Sequence, residues 1–342
     1  MRIKICPFSF FIIAVALFTS GTLRAQEKDK NIAFWNKGDA YLNEQSVSVF
    51  NVIDRALTQY QPSIVYNINR ELALNCLDAM LHDTIYDKNE NLFLFMSSRI
   101  NKVIADLNSN KISKMKVYKL YNDGFIAKTK KVSIGFDIVR GVSGGRHLIS
   151  DSDMKKIVDK CDVLFLSHNH GDHVDPYVVD LFLSSNKPVV ATTGILMDRK
   201  NIKHVRGDKM IVENIELNGG ENIKVKIFPG HQSELDNNIY VVTTPEKVSV
   251  AQIGDQYNKE DLLWIADINK DIKPLDILIV NCWTYNLPDL VKGFNPKIVV
   301  SGHENEMGHT IDHREAFWLT YKKMKEITAP SVIMGWGEWF KY

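Results

Sequence analysis

Cysteine is scarce in this chain, with four in 342 residues, and one of them, Cys6, lies in the N-terminal leader. Cys76, Cys161 and Cys282 remain, without CxxC spacing and with room for at most one bridge, which excludes a disulfide scaffold and a zinc finger. Cys161 and Cys282 sit beside apolar runs and read as buried free thiols. Charge of one sign is also missing: 42 Lys plus Arg face 41 Asp plus Glu. Neither a basic face for nucleic acid nor an acidic tail is expected. There is no repeat of fixed short period, no low-complexity tract, no P-loop and no dinucleotide fingerprint.

Long apolar runs are confined to the start. Arg2 and Lys4 lead into a mostly apolar stretch, Ile5 to Phe18, followed by small and polar residues ending at Ala25. A membrane span needs about 20 apolar residues, whereas this run is shorter and interrupted by Pro7 and Ser9. The pattern is that of a secretory signal over residues 1–25, cleaved after Ala25, which places the mature protein in the periplasm or outside the cell with no membrane span. Removing Arg2, Lys4 and Arg24 leaves a slightly acidic chain.

The remainder changes character near residue 112. Over 26–111, apolar residues recur at helical spacing, as in Val47, Phe50, Ile53 and Leu57, then Leu74, Leu77 and Leu81, then Leu92 to Leu107. This predicts three or four helices broken at Pro62 and at the polar stretch 83–91. His82, alone near a helix end, reads as a surface or capping residue. Over 112–342, short β-rich runs alternate with helical candidates, beginning with a hairpin about Asn122-Asp123-Gly124. This predicts a layered α/β domain.

One constellation carries chemistry. Directly after the strand-like run Val163–Leu166 come Ser167, His168, Asn169, His170, Gly171, Asp172 and His173: three imidazoles and a carboxylate within six residues. Chance would place HxHxDH in about one such chain in a thousand. Neutral imidazole and carboxylate are ligands for zinc, iron or manganese. So short a loop cannot wrap all four around one ion, so the set is expected to divide between two metals and to draw further ligands from later strand ends. His231, Asp255 and His303 each follow a strand-like run and supply them.

HxHxDH followed by His, Gly-Asp and His, each after a strand, resembles the metallo-β-lactamase superfamily of metal-dependent hydrolases over residues 112–342. The resemblance implies an αββα sandwich preceded here by the N-terminal helical region. It further implies that His168, His170 and His231 hold one metal, that Asp172, His173 and His303 hold the second, that Asp255 bridges them, and that Asp137 is the structural aspartate ending an early strand. Antibiotic-hydrolysing members lack the bridging carboxylate and often use a cysteine ligand, so a true β-lactamase is not expected. The nearest branch includes lactone hydrolases and phospholipid phosphodiesterases.

The expected cofactors are two divalent ions, zinc foremost, with manganese or iron as alternatives. The expected reaction is attack by a metal-bridging hydroxide on an ester, lactone or phosphodiester, with Asp172 orienting the nucleophile or handling its proton. Two dications against Asp172, Asp255 and hydroxide leave a positive site, so a small-molecule or lipid-like substrate of anionic character is expected. His309 is a candidate substrate contact. The alternative is a diiron oxidoreductase of the same fold, against which stands the absence of any flavin-binding pattern in the helical region.

Overall fold

The structure, a computed structural model, describes residues 34, 36–83, 89–109, 111–272 and 274–342. The leader at 1–25 and the expected cleavage after Ala25 lie outside the described residues. Two compact units divide the chain between Val49 and Phe50. The described part of the first is a turn, in which the Lys37 N–H donates to the Phe34 carbonyl (2.8 Å), and the opening of helix α1 (Gly38–Gln59). The Phe34 ring meets Tyr41 edge-on there.

The second unit, Phe50–Tyr342, holds the rest. In it α1 buries Phe50, Ile53 and Leu57, the helical spacing read from the sequence. Helix α2 (Ile68–Leu81) starts where the Asn67 side chain accepts the N–H groups of Asn69 and Arg70, satisfying donors that a helix start leaves open. Asn89 caps α3 (Glu90–Leu107) in the same way through Asn91. His82 ends α2 with Nδ1 at the Asp78 carbonyl and Nε2 at that of Arg314, both 2.9 Å.

Two seven-stranded sheets follow. The first contains β1 (Lys116–Lys119), β2 (Phe125–Lys128), β3 (Ser133–Phe136), β6 (Val163–Leu166), β7 (Val189–Ala191), β8 (Ile202–His204) and β16 (Glu338–Lys341). Its order is β16-β1-β2-β3-β6-β7-β8, antiparallel up to β3 and parallel beyond. The second contains β9 (Ile211–Glu216), β10 (Asn222–Gln232), β11 (Leu235–Thr243), β12 (Ser249–Gln252), β13 (Ile277–Asn281), β14 (Ile298–Gly302) and β15 (Ser331–Val332) in sequence order across the sheet. A separate two-stranded hairpin pairs β4 (Val142–Ser143) with β5 (Arg146–His147).

The core lies between the sheets, where Val117, Phe125, Ile134, Phe136 and Phe165 meet Val225, Ile227, Tyr240, Val242, Val250, Ile279 and Val300. Such burial supplies the main driving force for this architecture. Outside, α5 (Pro176–Ser184) packs on β6 and β7, α3 on β16, and α9 (Phe317–Met324) on α2. The arrangement is an αββα sandwich with a helical N-terminal region. No helix among the described residues is long and apolar enough to cross a membrane.

The helices and the first sheet are tied by one buried carboxylate. Glu338 on β16 accepts from Arg70 of α2, which also donates to the Ile333 carbonyl, and lies 3.2 Å from Arg99 of α3. Burial disfavours its charge, yet Arg70 and then Arg99 hold its pKa below the ordinary carboxylate range.

Candidate metal centre

The site lies at the carboxyl ends of β3, β6, β12, β13 and β14, where the two sheets open. That is the edge at which strand ends leave loops free to converge. Asp137 follows β3 in the left-handed region (φ 43°) and is fully buried. Its Oδ1 accepts the Ser167 N–H (2.8 Å). Its Oδ2 accepts the Ser167 hydroxyl (2.6 Å), Gln252 Nε2 (2.8 Å) and His173 Nδ1 (3.0 Å). One carboxylate thus fixes both ends of the HxHxDH loop.

Among the described residues three groups of ligand atoms result: His168, His170 and Asp255; Asp172, His173, Asp255 and His303; and, beneath them, Asp123, Asp137 and His173. Asp255 belongs to the first two. Its Oδ2 is 3.5 Å from His168 Nε2, and its Oδ1 is 3.2 Å from His173 Nε2 and 3.5 Å from His303 Nε2. Asp172 Oδ2 is 3.1 Å from His303 Nε2 and 3.4 Å from His173 Nε2. Gly254 before Asp255 is obligatory: φ is 54°, and a Cβ there would stand 2.3 Å from Asn237 Oδ1 and 2.5 Å from Ser167 Cβ. His303 also has positive φ, 70°, with its N–H donating to the Asn122 carbonyl. Two non-glycine ligand-shell residues, Asp137 and His303, are therefore held in a conformation that costs about 1 kcal/mol or more.

The donor set fits divalent ions. His168 Nε2 and His173 Nε2 are buried and without hydrogen-bond partners, a costly state that a cation relieves. Burial pushes His168 down to about 3, with His173 adding to the effect. Burial opposes charge on His303 as well, but Asp255 and Asp172 push it up to about 9. Burial works against Asp172 and Asp255 too, and the neighbouring imidazoles, His173 first, still hold both far below the usual carboxylate range. The cluster is electrostatically poised for positive charge.

His231 does not join it. Its Nδ1 faces Asp261 (3.1 Å) and its Nε2 accepts from Arg206 (2.8 Å). The next residue, Gln232, turns to the site instead and donates from Nε2 to Asp255 Oδ2 (2.9 Å). The reason is the pleat: neighbouring residues on a strand point to opposite sides, so residue 231 or 232 can face the cluster, not both.

Four further residues escaped sequence reading because amides and turns carry no ligand signature. Asn122 donates to Asp172 Oδ2 (3.3 Å), Asn281 donates to Asp255 Oδ1, and Asn237 Oδ1 accepts the Asp255 N–H (3.1 Å). Asp123, read only as part of a hairpin turn, lies buried beneath Gly302 and accepts from Gln252 (2.6 Å). Burial pushes its carboxyl up to about 8. The run Gly141-Val-Ser-Gly-Gly145 has the GxSxG spacing of a nucleophile elbow, but it forms the β4–β5 hairpin, not the strand-to-helix turn such a nucleophile needs.

A cleft of about 550 Å³ opens over the cluster, lined in part by His170, Asp255, Trp283, His303 and His309. His309 lies 6.0 Å from the His303 ring, centre to centre. Cys161 and Cys282 are buried away from it as free thiols, as expected, with burial pushing Cys161 up to about 12. Cys76 is exposed.

Igni18, a novel metallo hydrolase from the hyperthermophilic archaeon Ignicoccus hospitalis, superposes with a TM-score of 0.51 at 14% identity, over 67% of this chain and 100% of its own. The two chains share a fold. CmlA, a diiron β-hydroxylase from Streptomyces venezuelae, gives 0.47 at 13% identity, over 67% of this chain and 54% of its own. The isothiocyanate hydrolase from Delia radicum gut bacteria gives 0.46 at 14%, over 67% and 99%. No protein-family model and no curated protein matches the sequence. The Gln232 orientation is where this chain departs from the ligand pattern its sequence resembles.

Proposed function

We propose that the chain is a metal-dependent hydrolase holding two divalent ions, zinc foremost and manganese or iron as alternatives, and that it cleaves an ester, lactone or phosphodiester in a small-molecule or lipid-like substrate. Asp255 carries the reading: a single carboxylate within 3.5 Å of imidazole nitrogens from both of its groups suits a bridging ligand. His168, His170 and Asp255 would hold one ion, and Asp172, His173, Asp255 and His303 the other. When bound, such a pair supplies Lewis-acid polarisation and brings water's pKa to about 7. Asp172 Oδ2 is engaged by Asn122 and His303, which leaves Oδ1 to orient the attacking water and take its proton. His309, on the cleft wall, contacts the substrate.

The test is elemental analysis together with a hydrolase panel on zinc- and manganese-loaded protein, run beside Asp172→Ala. Two ions per chain and turnover absent from the variant support the reading. No more than one tightly held ion after supplementation rejects the binuclear form. An all-nitrogen-and-oxygen donor set also suits iron. Two irons with oxygen consumption would favour a diiron oxidoreductase. The leader pattern supports action in the periplasm or outside the cell, and N-terminal sequencing of the native protein should begin near Gln26.

A further inference from the structure

The walls of the cleft differ in character from its floor. Leu235, Tyr257 and Trp283 line it. The two aromatic residues come off the same strand ends that supply the floor: Tyr257 stands two residues after Asp255, and Trp283 two after Asn281. Both are anchored through their backbones. The Tyr257 N–H donates to the His231 carbonyl (2.9 Å), and the Trp283 N–H donates to Asn281 Oδ1 (2.6 Å). Tyr285 meets Tyr257 edge-on, ring centres 6.3 Å apart at 83°, and extends the aromatic surface. Tyr257 and Tyr285 are 49% and 40% exposed. Rigidly placed apolar area left open beside polar groups is the ordinary make-up of a ligand site.

Charge is distributed just as unevenly. Among the described lining residues there is no Lys or Arg; beside the histidines His170, His303, His309 and His313, the charged side chains are the acids Glu234 and Asp255. Two nearby cations are committed elsewhere. Lys323 lies over the Trp283 ring at 5.4 Å but is held by Glu315 (2.8 Å) and the Cys282 carbonyl (2.7 Å). Arg314 donates to the carbonyls of His309, Leu81 and Met307. On the wall formed by Leu235, Tyr257 and Trp283, an anionic group would meet aromatic faces and Glu234.

We propose that Leu235, Tyr257 and Trp283, extended by Tyr285, form an apolar subsite that receives an uncharged alkyl or aryl arm of the substrate, with the scissile group over Asp255 and His303. This rests on the hydrolase reading and narrows it: the substrate carries no second anionic group on that arm, in place of the generally anionic substrate expected from the sequence.

The experiment compares two esters that differ only at the arm's end, p-nitrophenyl hexanoate and the mono-p-nitrophenyl ester of adipic acid, with p-nitrophenyl acetate as the armless reference. Metal-loaded protein should favour the hexanoate over the adipate by about tenfold or more in kcat/KM. Tyr257→Ala and Trp283→Ala should each lower the hexanoate-to-acetate ratio about tenfold, through KM more than kcat, as expected for an interaction made equally in ground and transition states. Equal rates for hexanoate and adipate, or variants that keep the ratio, would overturn the subsite and leave the hydrolase reading standing. If no ester is turned over, the carboxylic-ester form of the hydrolase reading fails, and the subsite is judged by calorimetric binding of the unreactive, neutral N-hexylacetamide. Binding that both variants weaken supports it, and no binding overturns it. Tyr257 is half exposed, so its variant keeps the test valid should Trp283→Ala not fold.

Discussion

His173 Nδ1 and Asp137 Oδ2 are 3.0 Å apart with both side chains wholly out of solvent. A carboxylate accepts, so Nδ1 carries a proton, and Nε2 is the atom turned to Asp172 and Asp255. Asp137→Asn should weaken metal binding about 10- to 100-fold, the usual consequence of losing a carboxylate that orients a ligand imidazole. Chelator competition measures it, and unchanged affinity would remove Asp137 from the metal shell.

Asp255→Ala should lose at least one ion and all turnover while the chain stays folded, because the carboxylate common to two of the groups also offsets repulsion between two dications about 3.5 to 4 Å apart. Metal content, melting temperature and activity are measured on one preparation. A variant that keeps both ions and full activity would sink the bridging role.

His231→Ala should retain both ions, since Asp261 and Arg206 occupy its two nitrogens. Gln232→Ala, by contrast, frees one oxygen of Asp255 and should lower metal affinity. Loss of an ion from His231→Ala alone would return that histidine to the coordination shell.

Glu338→Gln should destabilise the chain by about 3 to 5 kcal/mol at neutral pH, because it leaves buried guanidinium groups without their counter-charge. The folded-state pKa of Glu338 is depressed below its ordinary 4.5. Its ionic contribution is therefore fully present above that value and is lost as pH falls through the depressed one. Denaturant unfolding across pH should show the gap between wild type and variant widest near neutrality and narrowing below about pH 4.5.

What the sequence made legible was governed by pattern. HxHxDH, Asp255 and His303 stood out because ligand-type residues following apolar runs are rare, and helices α1 to α3 because their apolar spacing is periodic. Strands β4, β5, β8, β9, β15 and β16 were not expected: β4, β5 and β15 span only two residues each, and β9 exposes Val212, Asn214 and Glu216. Between β12 and β13 the chain forms only two short helical turns, Leu262–Ile265 and Asn269–Ile272. The choice between His231 and Gln232 rests on one step of pleat, which tertiary packing sets and composition does not encode. Asn122 and Asp123 acquire a role only because the turn after β1 meets Gly302 and His303 at the end of β14, a juxtaposition far apart in sequence.

The final strand β16 pairs with the first, β1, with Lys116 opposite Lys341 and Phe340 opposite Val117. Pairing between strands so far apart in sequence is non-local and slow to form. Until β16 docks, β1 lacks its partner on that side, and Arg70 and Arg99 lack the carboxylate they share. Loss of a few C-terminal residues would strip more than its length suggests, leaving β1 as a bare template for intermolecular pairing.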